Sequence, residues 1–270
     1  MVITMKMRGK VALVTGAALG YKAGGPSIGS AIAFKLASEG AKVVVVDVEE
    51  KMGQRTADRI QGNGGTALFV RTDVSKTDEV VRAIEITRRE FGALHYLVNC
   101  AATYEGDIAR NVVDISEEDW NHTIEVNLNG YFRFAKYAIP LMLQSGGGAI
   151  VNISSGAAFR VVKNFSVYPV TKAAINALTR TLAIDFAPRI RANAICPGFV
   201  RIANSEGERT QQEIVAWVGR VARTYPLQRV CTVEEIANVA LFLLSDDSSY
   251  INGQCIVVDG GRSVADTHEF

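Results

Sequence analysis

The sequence has little with which to tie itself together by chemistry rather than by packing. Its 270 residues include four cysteines, three histidines and six prolines. Cys100, Cys196, Cys231 and Cys255 lie far apart with no C-x-x-C pair. That excludes the disulfide framework of a small secreted domain and reads as reduced, buried thiols of a cytosolic protein. His95, His122 and His268 are scattered, so no metal site is expected. Neither sign of charge prevails: 29 basic and 28 acidic side chains leave a net +1. No block of like charge, and no basic stripe with interleaved aromatics, marks a surface for nucleic acid. A run of about 18 apolar residues, as a membrane span requires, is also missing. Met1–Lys10 lacks the apolar stretch of an export signal. The expectation is a cytoplasmic protein with neither membrane nor nucleic acid as partner.

What is present is apolar residue in a regular arrangement. With 48% apolar and 21% charged residues the chain is not disordered. Its length suits a single domain over 1–270 that buries about 75% of its unfolded surface. Short Val/Ile-rich runs recur at Val11–Thr15, Lys42–Asp47, Thr66–Arg71, Tyr96–Asn99, Ala149–Ser154, Arg191–Ile195 and Cys255–Val258. Continuous apolar runs such as Val43–Val46 predict strands covered on both faces, as in a parallel sheet. Between them, helical patterns are expected near Ile28–Glu39, Glu49–Asn63, Lys76–Phe91, Ser116–Ser145, Tyr168–Phe186 and Val233–Leu244. Thr232 and Glu235 form a capping box before the last of these. The alternation predicts an α/β fold, a doubly wound and mostly parallel sheet of about seven strands with helices on both faces, of Rossmann type. The irregular stretch 199–225, weakly helical around Ile214–Val221, reads as a substrate lid.

Chemistry-bearing residues gather after the strands. Val11–Thr15 runs into a glycine-rich turn from Gly16 to Gly29 and then a helix. Free N–H groups and the positive end of a helix dipole at such a turn suit a pyrophosphate, with Gly16, Ser27 and Ile28 as the binding positions. Asp47 ends the second strand, where a carboxylate accepts from adenosine ribose hydroxyls and repels a 2′-phosphate. Asp73 and Val74 are placed to hold the adenine, and Asn99 lies at the sheet's carboxyl edge. Tyr168 and Lys172 are four residues apart, so one helical turn puts them on one face. A phenol with a pKa of about 10 is a poor acid or base at neutral pH. A nearby ammonium favours the phenolate, which is what a proton-transferring tyrosine needs.

Taken jointly, Thr15-Gly16-Ala17 with Ile28-Gly29, Asp47, Asp73-Val74, Asn99-Cys100-Ala101-Ala102, Asn127, Ser155, Tyr168-x-x-x-Lys172, Pro197-Gly198 and Val258-Asp259-Gly260-Gly261 resemble a classical short-chain dehydrogenase/reductase, from about Gly9 to Gly261. The resemblance implies an NAD(H)-dependent oxidoreductase interconverting a secondary alcohol and a ketone. In it Tyr168 is the general acid/base, and Ser155 hydrogen-bonds the reacting oxygen. Lys172 holds the nicotinamide ribose and depresses the Tyr168 pKa. Asn127 keeps a water in the proton relay, and Ala101, Pro197, Gly198 and Val200 lie along the nicotinamide. The hydride chemistry belongs to the cofactor.

Some features depart from the family pattern. Ten residues, Ala18–Ser27, stand where the family usually places three, and Lys22 within them is in reach of a 2′-phosphate. Asp47 opposes that, so NAD is expected over NADP. Ser-Ile-Gly after a long loop is similar to enoyl reductases of the superfamily. Those, however, put six residues between the catalytic Tyr and Lys, and here there are three. Cys100 and Ala102 replace an Asn and a Gly, and Ile202 replaces a Thr that bonds the pyrophosphate. Specificity is expected from Ala157–Val167, Tyr104 and the lid, in a fairly apolar pocket where Arg160 and Lys163 are available to an anionic substituent. Apolar residues on several helix faces (Phe132, Phe134, Ile139, Leu141, Leu178, Leu182) predict a homo-oligomer, tetramers being common in the family. An enoyl or dihydrodiol-type redox reaction, or a non-catalytic dinucleotide-binding regulator, stays open as an alternative.

Overall fold

Four consecutive valines, Val43–Val46, make β2 (Lys42–Asp47) a strand that is stable only with both faces covered. The computed structural model, which describes residues 5–20, 25–202 and 210–266, shows how they are covered. β2 pairs in parallel with β1 (Val11–Thr15) and β3 (Thr66–Arg71). With β4 (Tyr96–Asn99), β5 (Gly148–Ile153), β6 (Ile190–Pro197) and β7 (Cys255–Val258) they form a seven-stranded, all-parallel sheet. Its strand order is β3-β2-β1-β4-β5-β6-β7, the doubly wound Rossmann-type arrangement that the sequence predicts.

Alternate residues of the strands feed two cores. Val43 and Val45 pack with Ile32 and Leu36 of α1 (Ile28–Ser38) and with Ala57 of α2 (Glu50–Gly62). Val44 and Val46 face the other layer, with Val80 of α3 (Thr77–Phe91). After β4 come α4 (Glu117–Ile124) and α5 (Gly130–Gln144), whose Phe134 and Met142 fill that second core. α6 (Val167–Asp185), α7 (Gln211–Ala222) and α8 (Val233–Leu244) follow, and α8 packs against α1. Each fully buried valine contributes about 1.5–3 kcal/mol relative to exposure. Because every strand runs the same way, Thr15, Asp47, Asn99, Ile153 and Pro197 all end on one edge of the sheet.

Two glycines bring the loops at that edge into contact. Gly16 has φ +63°, and a Cβ there would lie 2.7 Å from the Ala101 Cα. A Cβ on Gly29, in the first turn of α1, would lie 2.2 Å from the Gly16 carbonyl oxygen. No side chain fits in either place, so the loops after β1 and β4 and the start of α1 close on one another.

The structure differs from the sequence reading at several points. The single helix expected over Ser116–Ser145 is broken by a π-turn at Glu125–Asn129, where the repeat widens. β5 stops at Ile153 and leaves Ser154 and Ser155 in the following loop, while β6 runs on to Pro197. The weak helix near Ile214 is a full α7, begun by a capping box of Thr210 with Glu213. The box of Thr232 with Glu235 starts α8 as expected, and Arg229 together with the Thr232 N–H holds the Glu235 carboxyl down at about 2. The four cysteines are free thiols, but Cys196 alone is fully buried and the others are half-buried. Lys22 and residues 203–209 of the expected lid lie outside the described residues. Phe134, Ile139, Leu141 and Leu182 are covered within the chain, leaving Phe132 half-exposed on α5 and Leu178 half-buried on α6. Among the described residues no helix is long and apolar enough to cross a membrane.

Gly29→Ala sets a methyl group against the Gly16 carbonyl and is expected to cost about 1–3 kcal/mol in urea unfolding. Gly62→Ala, with open space around it, is expected to hold stability or raise it by up to about 1 kcal/mol. Equal effects from the two variants would contradict the close approach.

Candidate active site

The end of β5 and the start of α6 build the reactive side. Tyr168 and Lys172 fall one turn apart on α6, and both are buried. Lys172 is 2% exposed, and an ammonium so placed needs compensation. Its Nζ donates to the Ile153 carbonyl at 3.0 Å. It also lies 5.4 Å from the centre of the Tyr131 ring and 5.5 Å from that of Tyr168, within cation–π range. Tyr131, on α5, donates its own hydroxyl to the same Ile153 carbonyl at 2.9 Å. Ser154 Oγ donates to the Lys172 carbonyl at 3.0 Å, tying the first turns of α6 to the strand end. Ser155 starts a 3-10 turn at Gly156–Ala158, its Oγ accepting from the Ala157 N–H at 3.1 Å. That bond uses a lone pair and leaves the hydroxyl proton for another acceptor.

Aromatic rings flank Tyr168. Phe165 stacks on it at 5.0 Å between centroids, and Tyr104 lies 5.2 Å away with its hydroxyl donating to Tyr168 Oη at 2.9 Å. Asn127, fully buried in the π-turn, grips the backbone just before Tyr104. Its Oδ1 accepts from the Thr103 N–H at 2.7 Å, and its Nδ2 donates to the Thr103 carbonyl at 3.2 Å. The wider repeat of the π-turn is what turns this amide inward. Burial pushes the Cys100 thiol up to about 12, so it is neutral beneath the site at physiological pH.

The expected cofactor residues lie along the same edge. Asp47 accepts from the Ala18 N–H at 2.8 Å and from the Glu49 N–H at 3.0 Å. Burial raises its carboxyl above the usual range, with those N–H groups opposing the rise. Ser27 caps α1, accepting from the Ser30 N–H at 3.0 Å and donating to the Ala18 carbonyl at 2.8 Å. The Gly20 N–H bonds the Gly25 carbonyl at 2.8 Å, closing the inserted stretch at its base. Asp73 is engaged with Ser75, and Val74 packs over Gly130, where a Cβ would lie 2.8 Å from Val74 Cγ2. Thr15 Oγ1 accepts from the Cys100 N–H at 3.0 Å and the Ala101 N–H at 3.2 Å. Asn99 is turned into the sheet, donating to Asn152 Oδ1 at 2.9 Å, and Asn152 donates to Thr179 Oγ1. Beyond Pro197, the Gly198 N–H bonds Val258, and Val200 bridges Cys231. A cavity of about 370 Å³ opens between Gly25, Pro26 and Arg201, Val230, Thr232.

Of the residues expected to set specificity, Phe159, Val161 and Val162 are exposed rather than lining a closed pocket. Arg160 donates to the Arg262 carbonyl at 2.6 Å, which fastens this loop to the C-terminal segment. Tyr131, Thr103 and Asn152 position the site and went unread in the sequence. Each acts through a partner far along the chain, and no spacing announces it.

A family model described as enoyl-(acyl carrier protein) reductase matches residues 23–263. A cyclohexanol dehydrogenase of Acinetobacter sp. (strain SE19) is 35% identical over 263 residues, 96% of this chain and 97% of the relative. A trans-4-hydroxycyclohexanecarboxylate dehydrogenase of Sinomonas cyclohexanicum is 35% identical over 261 residues, 94% and 93% of the two chains. The ligand-free structure of an aldohexose dehydrogenase from Thermoplasma acidophilum is similar with a TM-score of 0.85, at 32% identity and 99% coverage of both chains.

Asn127→Ala removes both bonds to Thr103 from a buried position. It is expected to cost about 1–3 kcal/mol in urea unfolding. A loss under about 0.5 kcal/mol, the size of an ordinary surface change, would contradict the clamp.

Proposed function

The chain belongs to the short-chain dehydrogenase/reductase family, and within it we propose an NAD(H)-dependent dehydrogenase that interconverts a secondary alcohol and a ketone. The observation that carries this reading is the Tyr168–Lys172 pair on the first turns of α6, tied by Ser154 to the loop after β5 that also carries Ser155. The three-residue spacing between Tyr168 and Lys172, against six in the enoyl reductases, supports alcohol chemistry over enoyl reduction. The relatives named for cyclohexanol and for a hydroxycyclohexane carboxylate support a secondary alcohol on a carbon ring as the substrate class.

The residues along the sheet edge fit a dinucleotide. The first N–H groups of α1 have no partner within the helix, and Ser27 satisfies that of Ser30. Gly16 and Gly29 keep the turn free of side chains, and Asp47 is a fixed carboxylate for the adenosine ribose. That carboxylate repels a 2′-phosphate, which favours NAD over NADP. A bound nicotinamide supplies or accepts the hydride at the substrate carbon. Tyr168 Oη takes the proton of the alcohol in oxidation and returns one to the oxygen in reduction. Ser155 donates to the same oxygen and stabilises the charge that develops there. Lys172 has three protons to donate, of which the Ile153 carbonyl takes one. The others serve the nicotinamide ribose, while its positive charge stabilises negative charge on Tyr168 Oη. Half-exposed Phe132 on α5 and exposed Ile184 on α6 support assembly of several copies. A monomeric mass in solution would contradict that.

The test is cofactor reduction across a panel of cyclic and acyclic secondary alcohols, with NAD+ and NADP+ in parallel. Turnover is expected with NAD+ and to fall about 100- to 10,000-fold in Tyr168→Phe. Turnover that survives this substitution contradicts the proton-transfer role, and comparable kcat/KM with NADP+ contradicts the cofactor preference.

A further inference from the structure

Tyr104 is held more firmly than an exposed ring requires. The residue is 59% exposed, yet its hydroxyl end is enclosed and the backbone on both sides is fixed. Asn127 grips Thr103 from two directions, and Thr103 Oγ1 accepts from the Glu105 N–H at 3.0 Å. The result is a phenol whose hydroxyl sits 2.9 Å from Tyr168 Oη, as the donor. A tyrosine hydroxyl has one proton to give and two lone pairs to receive. Accepting from Tyr104 therefore leaves Tyr168 Oη a lone pair to take a proton when it is ionised, and its own proton to give when it is not.

We propose that Tyr104 is a positioning residue for proton transfer, its hydroxyl donating to Tyr168 Oη while Tyr168 exchanges a proton with the substrate oxygen. This rests on the reading of Tyr168 as the acid/base group. In alcohol oxidation the ionised Tyr168 Oη would take the substrate's hydroxyl proton, while the hydrogen on the carbon bearing that hydroxyl would go as hydride to the nicotinamide. Tyr104 keeps its proton throughout. A donor at Oη stabilises the form of Tyr168 with more negative charge on that oxygen. A chain of two phenols aimed at one oxygen polarises cooperatively. Burial of the Tyr104 hydroxyl and the adjacent Tyr168 hold Tyr104 above the usual tyrosine range, so it stays the neutral donor.

Tyr104→Phe keeps the ring and removes the donor. Alcohol oxidation at neutral pH is expected to lose about tenfold in kcat, with KM little changed. The loss should recover at alkaline pH, because the acidic limb of the pH–rate profile moves up by about one unit. Ultraviolet titration of the tyrosines gives a readout independent of turnover: the ionisation absent from Tyr168→Phe should move to higher pH in Tyr104→Phe. A raised KM with kcat, acidic limb and titration unmoved would make Tyr104 a substrate wall only and overturn the proposal. If no alcohol is turned over, the reading of function fails, and the titration still decides: a shift supports the pairing and no shift overturns it.

Discussion

A buried ammonium organises this site. Lys172 is almost wholly removed from water, and a charge so placed is costly unless polar groups close around it. The last carbonyl of β5 and the faces of two tyrosines do so. Each compensating group comes from a different element: Ile153 from the sheet, Tyr131 from α5 and Tyr168 from α6 itself. The charge therefore fixes how these three elements meet. Ser154 adds a bond from the strand end to the backbone of α6.

The rest of the edge depends on the same geometry. Parallel strands deliver their carboxyl ends to one side, where Gly16 and Gly29 let loops approach without side chains between them. The π-turn in the segment before α5 turns Asn127 inward, and its amide fastens Thr103 and so Tyr104. Three groups thus flank Tyr168. Positive charge lies beneath it, Phe165 stacks on its ring, and Tyr104 donates to its hydroxyl.

Much of this was legible in the sequence, for physical reasons. The valine runs specify buried parallel strands, and five of the seven strands carry the bounds the sequence predicts. The i, i+4 spacing places Tyr168 and Lys172 together because helix geometry is local. What could not be read is what depends on distant partners. An Asn within an apolar helical pattern, such as Asn127, does not announce a π-turn. Asn99 sits at the carboxyl edge, but that its Nδ2 donates to Asn152 depends on strand register, which the sequence does not announce. Tyr104 was read from the sequence only as a candidate for substrate specificity; its bond to Tyr168 spans 64 positions of chain.

The most direct measurement is a crystal structure of the protein with NAD+ bound. The adenosine ribose hydroxyls should lie on the Asp47 carboxylate and the nicotinamide ribose on Lys172 Nζ, with Tyr168 Oη open toward the nicotinamide. A dinucleotide seated elsewhere, or one that leaves Lys172 out of contact, would contradict a site organised around that buried charge.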